Sequence, residues 1–95
     1  MDESERAARM RRFFDRHFRS DRGLRDLSAI QDELPDDVGD LQLLEGRCME
    51  TGRKAMHAGR HLEMLRLEGL SRQLKRLVEK KTGDRFARSR ANARA

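Results

Sequence analysis

Apolar residues recur at helical spacing from Glu5 to Arg19. At about 100° per residue, Ala7, Met10, Phe13, Phe14, His17 and Phe18 fall within an arc of about 140°. Arg9, Arg12, Arg16 and Arg19 point the other way. This predicts a basic amphipathic helix whose apolar face packs on the rest of the protein, with His17 as a packing residue. Ser20-Asp21-Arg22-Gly23 breaks the pattern, and Ser20 or Asp21 offers a cap for the next segment. Leu24, Leu27, Ile30 and Leu34 then predict a short second helix. Pro35 ends it, because a proline disfavours helical geometry at the residue before it. Asp36 and Asp37 are placed to start the third helix, since a carboxylate there accepts free backbone N–H groups and suits the helix dipole.

From Asp37 no comparable stop signal appears until Lys80-Lys81-Thr82-Gly83, where lysines before a glycine read as a helix end. Caps at both ends and none between favour one unbroken helix, about 68 Å long at about 1.5 Å per residue. The alternative is a long helical hairpin turning at His57-Ala58-Gly59-Arg60, with Gly59 as the left-handed residue. Leu41, Leu44, Cys48, Ala55, Gly59 and Leu62 share one face; Leu67, Leu70, Leu74 and Leu77 continue it, slightly displaced. The middle of this face is thin, and a glycine costs about 1 kcal/mol relative to alanine inside a helix. Close approach of a second helix is the compensating gain expected for Gly52 and Gly59. Glu63 and Arg66 lie inside the apolar stripe, i,i+3 neighbours suited to a polar layer that fixes register.

The expected fold is therefore all-α: two short N-terminal helices and one long helix or hairpin, in a dimeric bundle or coiled coil. A lone rod would expose its leucine stripe, which monomeric proteins avoid. A second copy of the chain is the natural cover, with Cys48, Gly52, Ala55, Gly59, Leu62, Leu70, Leu74 and Leu77 as dimer-packing residues. Residues 1–83 read as a single helical domain and 84–95 as a flexible basic tail.

Composition supports this picture. The chain of 95 residues is 41% charged and has few aromatics, the balance of long helices. No apolar run exceeds two residues, so no membrane span is expected. No apolar stretch lies behind the first residues either, so no secretory signal is expected and the default location is cytoplasmic. Cys48 is the only cysteine. It reads as a small buried apolar residue, with a disulfide between subunits as the lesser alternative.

The net charge of +5 conceals a segregation. Residues 1–25 carry eight Arg against five acids, residues 26–50 one Arg against eight acids, and residues 51–95 thirteen bases against four acids. The acidic middle can lie against a basic segment of its own chain, and the basic C-terminal half can attract polyanions.

Little in the chain points to catalysis. It has no Gly-rich phosphate loop, no cysteine cluster and no nucleophile–base set, so it is read as no enzyme, with no cofactor. Glu50, His57, His61 and Glu68 would share one side of an unbroken helix, and histidines four apart can chelate a metal. The reading adopted is an exposed polar face holding the i,i+4 pairs Glu50–Lys54 and Glu68–Arg72, with no metal. A helix-turn-helix over residues 24–50 is disfavoured, because its recognition helix, Asp40-Leu41-Gln42-Leu43-Leu44-Glu45, would be repelled by phosphate. Two functions remain. The first is a dimeric regulatory or architectural protein contacting nucleic acid through Arg53, Lys54, Arg60, Arg72, Lys75, Arg76, Lys80, Lys81, Arg85 and Arg88. The second is a protein–protein adaptor or inhibitor that binds a partner protein through its acidic 32–50 segment or its amphipathic N-terminal helix.

Overall fold

The computed structural model describes residues 3–94, with side chains described for residues 3–83. All regular structure among them is helical. Helix α1 spans Glu3–His17, α2 spans Val38–His57 and α3 spans His61–Arg94. Between α1 and α2 lie two 3-10 segments, Ser20–Arg22 and Leu27–Glu33.

The expected second α-helix is thus a 3-10 segment, and it is kinked at Ile30 (φ −127°, ψ 26°). Its cap is Asp26, whose carboxylate accepts a hydrogen bond from the Ser28 N–H at 3.0 Å; the Ser20–Arg22 segment has no side-chain cap. Leu34, just before Pro35, is extended (ψ 138°), as the proline requires. Asp37 caps α2 by accepting from the Asp40 N–H at 3.1 Å.

The unbroken long helix favoured by the sequence does not form; the chain turns back at Ala58-Gly59-Arg60. The Arg60 N–H donates to the Ala55 carbonyl at 2.8 Å and the Gly59 N–H to the Met56 carbonyl at 3.0 Å. Gly59 takes φ +77°, the left-handed conformation that this pair of bonds needs and that glycine adopts without a Cβ clash. At the far end, α3 runs past Lys80-Lys81-Thr82-Gly83 instead of stopping there. Gly83 has no positive φ, so no left-handed cap forms at that glycine.

Helices α2 and α3 pack antiparallel, and α1 lies across α2. The core takes Met10, Phe14 and Phe18 from the N-terminal region, Leu41, Leu44 and Cys48 from α2, and Leu67, Leu70 and Leu74 from α3. Each large side chain so buried contributes about 1.5–3 kcal/mol.

Much of the stripe assigned to dimer packing is therefore used within one chain. Cys48, Gly52, Ala55, Leu70 and Leu74 are buried between the chain's own helices, and Leu77 is half-buried. Leu62 is 79% exposed and Gly59 is exposed in the turn. A Cβ at Gly52 would sit 3.6 Å from Leu67 Cβ and 3.8 Å from the Met64 carbonyl oxygen. Both are ordinary van der Waals distances, so α3 is the neighbour of Gly52 but does not come close enough to require a glycine there.

Two polar devices lock the crossing segment onto the hairpin. Arg66, buried on α3, donates to the Phe18 and Leu24 carbonyls, each at 2.7 Å, and pairs with Glu63. Two turns on, Gln73 accepts from the Leu27 N–H at 2.8 Å and donates to the Arg25 carbonyl at 3.0 Å. Backbone groups that no helix satisfies thus find side-chain partners. The register role expected of Glu63 and Arg66 is played between α3 and the 18–27 segment.

Candidate nucleic-acid interface

Part of the acidic stretch is paired inside the fold. Asp40 is buried at the start of α2, where Arg9 reaches it at 2.9 Å and Arg6 at 3.3 Å. Arg6 also approaches Asp37 at 3.8 Å. Gly39 leaves the room this requires, since a Cβ there would lie 2.6 Å from the Arg6 Nη1. At the other end, Lys81 on α3 lies 3.7 Å from Asp36. Arg6 and Arg9 on α1 are thus engaged with the acids at the start of α2.

The candidate phosphate ligands behave differently. Arg53, Lys54, Arg60, Arg72, Lys75, Arg76 and Lys80 are exposed, and Lys81 is half-exposed. Lys54 pairs with Glu50 at 3.5 Å, and Arg72 pairs with Glu68. Arg53, Arg60, Lys75, Arg76 and Lys80 make no ion pair among the described residues. The side chains of Arg85 and Arg88 lie outside the described ones, as do those of Arg90 and Arg94.

The fold brings these bases to two places. Arg53, Arg72 and Lys75 rim a groove of about 500 Å³ between α2 and α3, on the hairpin face that α1 leaves open. Arg76, Lys80 and Lys81 border a second groove, of about 450 Å³, against the Leu27–Glu33 segment and Pro35. Lys54 and Arg60 line neither groove. Helix lengths add a third feature. Helix α2 has 20 residues and α3 has 34, about 30 Å and 51 Å respectively. The backbone of α3 thus extends about 20 Å past the start of α2, and the molecule measures 55 Å along its long axis. From residue 80 onward that stretch of sequence carries Lys80, Lys81, Arg85, Arg88, Arg90 and Arg94 against the single acid Asp84.

The remaining candidates for chemistry are quiet. His57 ends α2 and His61 begins α3, so the turn removes the i,i+4 spacing on which chelation depended. No group of three or more metal-ligating side chains is found among the described residues. Cys48 is fully buried, and burial pushes its thiol up to about 12. A thiol so placed is a packing group and is held away from disulfide exchange. His17 packs on Phe13, with ring centroids 4.6 Å apart. Among the described residues no helix is long and apolar enough to cross a membrane.

The Arg6–Asp40 and Arg9–Asp40 contacts and the two bonds of Gln73 escape a reading of the sequence alone. The segregation of charge signals the first in outline; nothing in the local pattern around Gln73 signals the second.

No protein-family model matches the chain, and no curated protein or solved structure matches it.

Proposed function

We propose that this protein is a non-enzymatic, dimeric helical binding protein that contacts nucleic acid through its basic C-terminal half, with a regulatory or architectural role. The observation that carries this reading is the uneven use of charge. Acids at the start of α2 are neutralised by Arg6, Arg9 and Lys81. Arg76 and Lys80 on α3 have no acidic partner among the described residues, and the helix continues through a stretch rich in arginine. An extended helix with such an excess of base suits a polyphosphate backbone, whose charge draws Lys and Arg irrespective of sequence. The absence of aromatics from α2 and from the described side chains of α3 favours duplex over base-stacked single strands.

The adaptor reading finds less support. The apolar face of α1 is committed to the core through Met10 and Phe14, and the acids offered by residues 32–50 are partly paired. Fluorescence anisotropy with labelled duplex DNA and duplex RNA tests the proposal, using residues 1–95 and residues 1–82 at low salt. Binding by the full chain and at least about tenfold weaker binding by 1–82 are expected, because four arginines are removed. No binding by the full chain at low salt would rule the proposal out.

A further inference from the structure

We propose that the open face of the α2–α3 hairpin is where two copies of this chain meet, the second turned by half a revolution about an axis running along the hairpin. This deepens the dimeric part of the proposed function and rests on it.

The face is unfinished in a particular way. Helix α1 covers one side of the hairpin, and the groove on the other side is walled by Met49, Met56 and Met64. Met49 is 52% and Met56 45% exposed. Beneath them the floor is made of buried small residues, Cys48, Gly52 and Ser71, so the groove is shallow and wide enough for another helix surface. Methionine adapts to irregular neighbours, and a stripe of it at helical spacing suits a helix–helix contact.

Charge decides the occupant. Gly52 lies level with Met64 and Leu67, which fixes the antiparallel register. Side chains lean toward the N-terminus of their own helix. In this hairpin the lean brings Met56 level with Met64, Arg53 level with Glu68, and Glu45 level with Lys75. The level nearest the turn therefore carries two apolar side chains, and the Arg53–Glu68 and Glu45–Lys75 levels carry opposite charges, one from each helix. Between those two, Met49 is level with Arg72, whose aliphatic stem can pack on it. Within one chain the charged pairs do not close: Glu45, Arg53 and Lys75 make no ion pair among the described residues, and Glu68 turns to Arg72.

A two-fold axis along the hairpin exchanges the α2 and α3 sides and leaves each level where it is. Met56 then faces the second copy's Met64, Arg53 its Glu68, and Glu45 its Lys75, each pair occurring twice. The surface is its own complement, and the product is a four-helix core of two hairpins. Rotation about this axis also sends both α3 C-terminal segments out of the same end, at diagonal corners of the core. Two basic helices at one end could then meet neighbouring stretches of one polyanion.

The test is the mass of the full chain in the absence of nucleic acid, by sedimentation equilibrium over a range of concentrations. A dimer of twice 11.1 kDa is expected. Met56→Glu places a carboxylate in the apolar level and should leave a monomer. Lys75→Glu should weaken the dimer by about tenfold, and adding Glu45→Lys to it should restore most of the loss, because the exchanged pair is again complementary. Lys75 is exposed, so its reversal leaves the fold in place, and circular dichroism of every variant checks this. A wild-type monomer at high concentration overturns the inference, including the case in which the groove takes a helix from another protein. A dimer that survives both Met56→Glu and Lys75→Glu overturns it too. A wild-type monomer that still binds nucleic acid would sink this interface alone; failure to bind nucleic acid by a confirmed dimer would sink only that reading.

Discussion

Arg66 and Gly59 show how single residues set this fold. The Arg66 guanidinium is buried and directs its donors to the Phe18 and Leu24 carbonyls and to Glu63. Removing it would leave two carbonyls and a carboxylate without their partner. Arg66→Ala should therefore destabilise the protein by about 3–5 kcal/mol in urea denaturation. Arg66→Lys should recover little of this, since an ammonium lacks the planar fork that reaches all three acceptors. The glycines make a contrasting pair. Gly59→Ala forces a Cβ into the left-handed region at φ +77° and should cost about 1–2 kcal/mol. Gly52→Ala should be neutral or stabilising by up to about 1 kcal/mol, because its new Cβ meets Leu67 and Met64 only at ordinary van der Waals distance and alanine is the better helix former. Thermal denaturation of the two variants side by side distinguishes them. Spacing in the sequence marks Arg66 as a polar residue in an apolar stripe. Its carbonyl acceptors lie more than forty residues away in sequence, beyond the reach of any local pattern.

At the scale of elements, the turn at Gly59 is the decisive event. Both ends of the Asp37–Lys81 stretch carry helix signals, and His57-Ala58-Gly59-Arg60 is the one plausible break between them. An isolated glycine inside a helical pattern does not by itself reveal whether it bends the chain or lets another helix come near. Burial resolves the ambiguity. Folding back places Leu67, Leu70 and Leu74 against Leu41, Leu44 and Cys48, so the leucine stripe finds its cover within the chain. The 3-10 segment Leu27–Glu33 has a similar explanation. Its apolar residues keep helical spacing, but its first N–H, at Leu27, is bonded to Gln73 on α3 and the backbone leaves helical geometry at Ile30. Spin labels on cysteines at Gln42 and Arg76, in a Cys48→Ala background, measure the hairpin directly. Antiparallel packing predicts a separation below about 25 Å, whereas a continuous helix would hold these positions about 51 Å apart.

For the whole molecule, the distribution of charge is the organising feature. An acidic middle flanked by basic ends is legible from residue counts alone. Which end absorbs the acids is not, because that depends on α1 crossing α2 beside Asp37 and Asp40. With Asp37 and Asp40 taken up by α1, Arg76 and Lys80 of α3 keep no acidic partner among the described residues. The basic stretch beyond Lys80 adds to this excess, carried on a helix that outreaches the hairpin. The salt dependence of binding to duplex nucleic acid measures the consequence most directly. The logarithm of the binding constant should fall linearly with the logarithm of salt concentration. Changing Arg85, Arg88, Arg90 and Arg94 together to alanine should make the slope shallower by about three to four, at about 0.9 for each phosphate no longer neutralised. An equal slope for both proteins would contradict the claim that α3 delivers these arginines to phosphate.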